Sequence, residues 1–497
     1  MNKTSTAGLS GKNRFLRWAV SRAIARSLTG RPADLRRLIA VARRVPTTVA
    51  ARRFFDLLDV SVSNGDAMSK LFMRIGGQLS LQGRRKIAAN LIFNEFTVGY
   101  SIRRAHSTDG NWVPGFFVMS PTMRCTLKCR GCYSGIYPKD EVLSYEEMDR
   151  ILDEARELGI YFVVISGGEP YLLADQLLHL FRKHDDMYFL TYTNGTLFDE
   201  ALARALARLG NVAPGISVEG FEQETEKRRG VGVFAKVLRA MELLRQEGVP
   251  FGFSATATRD NLDTITSDEF VRFYMEKGAL FGWYFLFLPV GSDPVIELSP
   301  TPEQRVEMGR RVSRLRGTYP IFLGDFWNDG PAVGGCLAGG RTYLHILNNG
   351  NVEPCVFCHF SSDNIRGKTL LEVANSPFFK AIRREFPFNE TGNLLRPCMI
   401  IDNPDVLRRL VREHVIPAGH ENADAIVMDP AVIAWADSYS SRMAELTDPQ
   451  WEEMIRDPSS RWYREGPEYR EYLRPPILFD GERPKDDISQ PIAVPKR

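Results

Sequence analysis

Seven cysteines are the residues of this 497-residue chain best suited to chemistry, and they fall into two groups. Three lie within eight residues, in the run Cys125-Thr-Leu-Lys-Cys129-Arg-Gly-Cys132-Tyr133. Three thiolates on so short a loop can each hold one iron of a [4Fe–4S] cluster and leave the fourth iron open, which makes a reactive site and not a closed electron carrier. Lys128 and Arg130 would offset part of the cluster's negative charge. A zinc knuckle completed by a distant ligand is the other reading of the spacing. The remaining four, Cys336, Cys355, Cys358 and Cys398, can close an all-cysteine [4Fe–4S] site or a tetrahedral zinc site, and His359 could replace Cys358 as a ligand. Seven cysteines cannot all pair as disulfides, and in a reducing compartment thiols more often bind metal than each other.

These loops need a scaffold. From about Gly115 the sequence alternates between β-rich runs and amphipathic helices, with strands expected at 115–120, 160–166, 188–193, 215–219, 251–258 and 283–290. Ser144 and Glu147 make a capping box at the start of the first intervening helix, and Gly159 closes it. Two more helices, over 201–210 and 234–248, each end at a glycine. Six such units predict a parallel sheet with function in the loops beyond the strands' C-terminal ends, where the first cysteine loop lies. Six fall short of the eight that close a full barrel. After Pro300 the alternation fades. Tyr343–Leu347 and Asn351–Glu353, joined by Asn348-Asn349-Gly350, predict a hairpin with Cys355 and Cys358 at its end. Beyond about residue 415 the chain reads as helical, and from Arg474 as a proline-rich tail expected to be disordered.

Composition excludes collagen-like, disordered and disulfide-scaffold classes: 44% apolar, 25% charged, with 40 glycines and 29 prolines. The net charge of +3 conceals an imbalance. Residues 1–110 carry 20 Lys and Arg against 6 Asp and Glu, a net of +14, so the rest of the chain is acidic. A basic head suggests an anionic partner, although a solvated helical face explains the charge as well. Leu16, Val20, Ile24 and Leu28 recur at helical spacing, and a second helix is expected from Pro32 to before Pro46. The later runs 54–60 and 86–104 suit either a membrane surface or a helical cap on a domain. Arg17, Arg22 and Arg26 interrupt any signal-peptide core, and the run from Gly278 to Gly291 is too short to span a bilayer. The chain is expected to be cytoplasmic, with a possible peripheral site on the inner face of the membrane and no nucleic-acid partner.

The Cys-x3-Cys-x2-Cys loop with a following aromatic, at the end of a first strand, resembles the radical S-adenosylmethionine (radical SAM) superfamily. Other motifs agree in order. Ser166-Gly167-Gly168-Glu169-Pro170 is similar to the family's Gly-Gly-Glu-Pro turn, which implies that its backbone and Glu169 hold the methionine amino group. Thr193-Asn194-Gly195 follows the third strand, and Ser217-Val218-Glu219-Gly220 resembles Ser-x-Asp-Gly with Glu in place of Asp. Arg229-Gly230 matches an Arg-Gly whose arginine pairs with the methionine carboxylate, and Pro289-x-Gly291 ends the sixth strand. Taken singly these motifs read as tight turns and surface charge; their joint order over about 113–325 carries the resemblance. It implies a cofactor site of Gly167, Gly168, Glu169, Pro170, Asn194, Ser217, Glu219 and Arg229. The second cysteine group resembles the auxiliary-cluster module called SPASM, or its shorter one-cluster twitch form.

The fold class that follows is α/β: a partial (β/α)6 radical SAM barrel over 113–325, a basic helical region over 1–112, an auxiliary-cluster domain over 326–415 and a helical extension over 416–497. The resemblance implies two [4Fe–4S] clusters, an electron donor such as ferredoxin or flavodoxin, and reductive cleavage of S-adenosylmethionine. The resulting 5′-deoxyadenosyl radical removes hydrogen from an unactivated C–H. The leading substrate expectation is a membrane-associated lipid. The basic head supports it, as does a resemblance of the segment from Ile160 to Cys398 to bacterial radical SAM proteins related to enzymes that alter lipid alkyl chains. The alternatives are a peptide or protein side chain, or a non-enzymatic iron–sulfur or zinc protein. Tyr284, Asp325, Trp327 and Asp329 fall on or past the last expected strand and are candidates for substrate chemistry, with core packing and turn formation as their plainer roles.

Overall fold

Parallel strands need a crossover between them, and the capped helices supply it. The computed structural model describes residues 30–42, 49–108, 110–135, 137–290 and 294–466, with Arg22 and Tyr469. Seven strands run in chain order: β1 (Phe117–Met119), β2 (Phe162–Ile165), β3 (Tyr188–Thr193), β4 (Val212–Val218), β5 (Gly252–Ala257), β6 (Phe281–Leu286) and β7 (Phe322–Asp325). Three short ones follow: β8 (His345–Ile346), β9 (Asn351–Glu353) and β10 (Asp363–Asn364). The sheet order is β10-β9-β8-β1-β2-β3-β4-β5-β6-β7. Strands β1 to β7 pair in parallel; β8 is parallel to β1 on its other side, and β9 and β10 are antiparallel. Among the described residues no ladder joins β7 to the other edge, so the barrel is partial.

The capping box of Ser144 and Glu147 is formed, and Gly159 and Gly210 follow their helices at positive φ. The parallel sheet is nonetheless larger than six units. Thr301 and Gln304 cap a further helix, Pro302–Thr318, that leads into β7. That strand reads Phe-Leu-Gly-Asp, too short and too polar for alternation to mark it. The eighth parallel strand, β8, belongs to the expected hairpin: His345 lies opposite Glu353, and Ile346 opposite Val352.

Register sorts the side chains into two faces. Tyr192, Gly215, Gly252, Phe281 and Phe322 share one line across β3 to β7. With a period of two, Ser217, Ser254, Thr256, Trp283 and Phe285 lie on that same face, which lines the lumen. Gly324 leaves room there: a Cβ would run into the Trp283 ring. Tyr284 faces the other way, onto Phe253 and Phe270 of the helix Asp268–Glu276. One buried apolar cluster extends from Val113 to Met443, so the barrel, the second cysteine region and the C-terminal helices share a core.

The N-terminal region closes the floor of the barrel, away from the first cysteine loop. Its helices Ala67–Gln78 and Leu81–Lys86 lead into a π-helical stretch, Ile87–Gly99, and then Tyr100–His106. The wider winding of a π-helix brings residues four to five apart onto one side. Asn90 donates to the carbonyls of Asp185 and Met187, Asn94 to Asp186, and Glu95 accepts from the Tyr161 amide. Arg103 donates to Gly159, Gln82 to Leu209, Gln78 to Gly278, and the Ser80 amide to Gly248. Arg74 reaches Met275, Ala279 and Pro320. These carbonyls occupy the turns that precede β2 to β7 in order. Of the two readings open for the run 86–104, a cap is what it forms. The amphipathic run Leu16–Leu28, Arg22 apart, and the tail from Arg474 lie outside the described residues. No described helix is long and apolar enough to cross a membrane.

Arg74→Met removes three charge-assisted hydrogen bonds from the floor. It is expected to destabilise the fold by about 2–3 kcal/mol, read as a lower urea midpoint.

Candidate functional site

The first cysteine loop leaves the C-terminal end of β1 and is closed at its base by the Leu143 amide on the Pro121 carbonyl, 3.0 Å. Cys125 is exposed, and Cys129 and Cys132 are half-buried. The loop rests on the turn after β2. The Gly168 amide donates to Thr122 O at 2.9 Å and the Glu169 amide to Arg124 O at 2.8 Å. Gly167 has φ +118°, and a Cβ on Gly168 would strike the Arg124 carbonyl. The glycine pair is therefore required for backbone to lie on backbone.

Glu169 is fully buried. One carboxylate oxygen accepts from the Tyr171 amide (3.1 Å) and Thr193 Oγ1 (2.8 Å); the other accepts from the Asn194 amide (2.8 Å). Burial raises its pKa to about 7, against the pull of these donors. Its side chain is thus engaged by the protein, tying the turns after β2 and β3 together. Pro170 starts the short helical turn that follows. Asn194 Nδ2 donates to Thr126 Oγ1 at 2.9 Å and reaches Cys125 Sγ at 3.6 Å, so β3 also holds the cysteine loop.

Ser217 is half-buried on the lumen face of β4. Beyond it Glu219 is buried, and its Oε1 accepts from Arg228 Nη1 (2.6 Å) and Arg229 Nε (2.8 Å). Glu219 Oε2 is buried without a hydrogen-bond partner. Burial pulls the Arg229 pKa down, and the Glu219 carboxylate together with the nearby Cys129 and Cys132 more than offsets it. Arg228 also donates to the carbonyls of Arg130 (3.2 Å) and Gly131 (3.5 Å), and the Arg130 amide returns a bond to Arg228 O. The end of the helix Glu222–Arg229 is thereby fastened to the chain between Cys129 and Cys132.

The second group surrounds the end of the hairpin. The Cys358 amide donates to Cys355 O, and the Tyr343 hydroxyl donates to Cys355 Sγ at 2.9 Å. The Cys398 amide donates to Asp402, which is paired with the buried Arg305 at 2.5 Å. Burial pushes the Cys355 thiol up to about 12 and those of Cys336, Cys358 and Cys398 upward as well. Cys336 adds to the rise at Cys355 and Cys398, and Cys398 to that at Cys358, so the four sulfurs share one locality. Both ring nitrogens of His359 are engaged, by His420 Nε2 (2.9 Å) and Val356 O (3.2 Å).

The donor sets are three thiolates and four thiolates, and a cubane takes one sulfur at each iron, so the first set suits an open cluster and the second a closed one. The orphaned Glu219 Oε2 beside Arg229 fits a polar ligand above the first loop.

Sequence reasoning missed the side chains between the two groups. The Tyr133 ring lies 5.5 Å from Phe357, which stands between Cys355 and Cys358, and its hydroxyl meets Ser166 Oγ at 3.1 Å. Tyr137 donates to Glu353 Oε1 (2.7 Å), Glu353 Oε2 meets His345 Nδ1 (3.1 Å), and His345 Nε2 meets Ser120 Oγ (2.7 Å). All four are buried. Burial lowers the His345 pKa to about 3 and raises that of Glu353, each in the direction that disfavours its charged form. Nothing local in the sequence marks this set, because its members meet only when β8 and β9 pair beside β1. Of the candidates for substrate chemistry, Tyr284 packs on the outer helices and Asp329 pairs with Arg316 at 2.8 Å. Asp325 is buried and accepts from Asn328 at 2.7 Å, with burial raising its pKa to about 6. Trp327 is buried between Phe326 and Phe357. Gly291 lies outside the described residues.

Residues 119–274 match the model of the radical SAM superfamily, and residues 336–399 match that of an iron–sulfur cluster-binding domain, SPASM. An AdoMet-dependent heme synthase of Methanosarcina barkeri is 27% identical over 301 residues, 54% of this chain and 85% of the relative. A PqqA peptide cyclase of Gluconobacter oxydans is 28% identical over 287 residues, 53% of this chain and 77% of the relative. In fold, the chain is similar to Streptococcus suis SuiB crystallised with its precursor peptide SuiA. The TM-score is 0.52 at 18% identity, covering 76% of this chain and 89% of that one.

Anaerobically reconstituted protein is expected to hold about eight irons per chain, falling to about four when Cys125, Cys129 and Cys132 are all replaced by alanine. Four irons falling to none, with zinc retained, would make the second group a structural metal site.

Proposed function

Because the chain belongs to the radical SAM superfamily and carries a C-terminal SPASM module, with S-adenosylmethionine and [4Fe–4S] clusters as cofactors, we propose that it abstracts hydrogen from an unactivated C–H of a peptide or protein side chain. The observation that carries the site assignment is the cysteine loop lying on Gly167-Gly168, with the Glu219–Arg229 pair beside it. A cluster on Cys125, Cys129 and Cys132 with S-adenosylmethionine beside it would supply radical hydrogen-abstraction chemistry, given an electron from a donor such as ferredoxin or flavodoxin.

The chain's own residues bind and orient. Cys125, Cys129 and Cys132 hold the first cluster. The backbone of Gly167, Gly168 and Pro170, kept in place by buried Glu169, receives the methionine amino end. Arg229 takes the carboxylate, and Glu219 Oε2, Ser217 and Asn194 offer further polar contacts. Cys336, Cys355, Cys358 and Cys398 hold the auxiliary cluster. We take 1–112 as the floor region, 113–325 as the barrel, 326–415 as the auxiliary domain and 416–497 as its extension.

The lumen supports the substrate class. Ser217, Ser254 and Thr256 make a polar wall beside the aromatic wall of Trp283 and Phe285. That lining suits an amide-bearing chain with an apolar group better than a bare alkyl chain. Relatives named as peptide cyclases agree with this reading, while others are named for heme synthesis. The second reading is a lipid substrate met at an anionic membrane, favoured by the +14 charge of residues 1–110. Part of that charge, at Arg74 and Arg103, is used in the barrel floor.

Two measurements test these readings. Reduced, reconstituted protein is expected to convert S-adenosylmethionine to 5′-deoxyadenosine, and Arg229→Gln to weaken cofactor binding about tenfold or more. No 5′-deoxyadenosine from wild type would exclude the reaction class. Flotation of the full-length chain with anionic and with neutral vesicles separates the substrates. Absence of binding to either is expected, and capture by anionic vesicles alone would favour the lipid. A chain lacking residues 1–110 is unsuitable, because it loses the floor.

A further inference from the structure

Tyr343 lies where the lumen wall and the auxiliary cysteines meet. Its buried ring is stacked on Phe116, with centroids 5.3 Å apart and planes 7° apart, and meets Phe326 edge-on at 6.2 Å. Phe326 in turn lies 5.3 Å from Phe285 of the lumen face. On its other side the phenol donates to Cys355 Sγ at 2.9 Å. Backbone amides also reach these sulfurs, Phe357 on Cys355 at 3.5 Å and Ile400 on Cys398 at 3.4 Å. The phenol is thus the shortest of these bonds, and it comes from a side chain whose ring is fixed by the barrel.

We propose that Tyr343 is a positioning residue for the auxiliary site, whose hydroxyl, held by the barrel's aromatic wall, raises the reduction potential of the cluster bound at Cys355. This rests on the reading of Cys336, Cys355, Cys358 and Cys398 as ligands of a [4Fe–4S] cluster. A hydrogen bond to a ligand sulfur draws off negative charge, and the reduced cluster carries one more electron than the oxidised one. The bond therefore stabilises the reduced state more. Because the ring rests on Phe116 and Phe326, the strength of the bond is linked to the packing of the lumen wall.

The test is an anaerobic redox titration of the full-length reconstituted protein, followed by electron paramagnetic resonance. Tyr343→Phe keeps the ring and removes the donor. At a fixed potential its ratio of reduced to oxidised auxiliary cluster is expected to fall about tenfold, a shift of about 59 mV to more negative potential for one electron. Replacing Tyr343 by 3-fluorotyrosine, a stronger donor of the same shape, is expected to shift the titration the opposite way. This variant decides the matter alone if Tyr343→Phe fails to assemble. Unchanged titrations, or shifts of the same sign in both variants, would overturn the role of the hydroxyl. A wild-type chain with only one cluster signal and about four irons would instead overturn the ligand reading on which the proposal rests.

Discussion

Three residues of β1 set the relation between the two cysteine groups. Val118 pairs with Val164 on one side and with His345 on the other. From the first pairing follows the position of the turn after β2, on which the loop of Cys125 to Cys132 is laid by two backbone hydrogen bonds. From the second follows the hairpin that carries Cys355 and Cys358. Parallel pairing puts the C-terminal end of β1 beside that of β2, where the first group emerges, while β9 returns antiparallel to β8 and brings Cys355 to the level of Tyr343, at the start of β8. The buried set Ser120, His345, Glu353 and Tyr137 then fills the space between them, every member with a partner.

The charge pattern has a related explanation. The head reads as a surface-seeking stretch because its basic and apolar residues alternate at helical spacing, yet Arg74, Arg103, Asn90 and Asn94 turn their donors onto the carbonyls of the barrel floor. Turns before parallel strands leave carbonyls without ladder partners, and a buried unpaired carbonyl is costly. A polar helical cap meets that need at one end while the first cysteine loop occupies the other. Within the site, Glu219 gathers Arg228 and Arg229, and Arg228 reaches the carbonyls of Arg130 and Gly131. Cationic charge is thereby held against the loop of the first cysteines, where a cluster would bring negative charge.

Much of the chemistry is legible without the fold. The seven cysteines divide into three and four by spacing alone, and Gly167-Gly168, Glu219 and Arg229 are found by their order along the alternating units. The capping boxes and the hairpin turn are local devices, which is why Ser144 with Glu147, and Asn348-Asn349-Gly350, mark their elements. Local signals fail for β7, whose four residues include a glycine and an aspartate, and for the parallel pairing of β8 with β1. They do not show that the Tyr171, Thr193 and Asn194 donors also hold the Glu169 carboxylate.

By itself the sequence pointed to radical SAM chemistry and to candidate residues for it, because ligand type and spacing are properties of a few neighbouring positions. The tertiary structure alone decided which elements meet. It made the run 86–104 a barrel floor, since amphipathic periodicity describes a face but does not name what covers it. It gave His359 to His420. It also brought Tyr343 from the hairpin to Cys355 while stacking its ring on Phe116, a contact across 227 positions of chain. Such contacts depend on how strands pair, and no local composition encodes that.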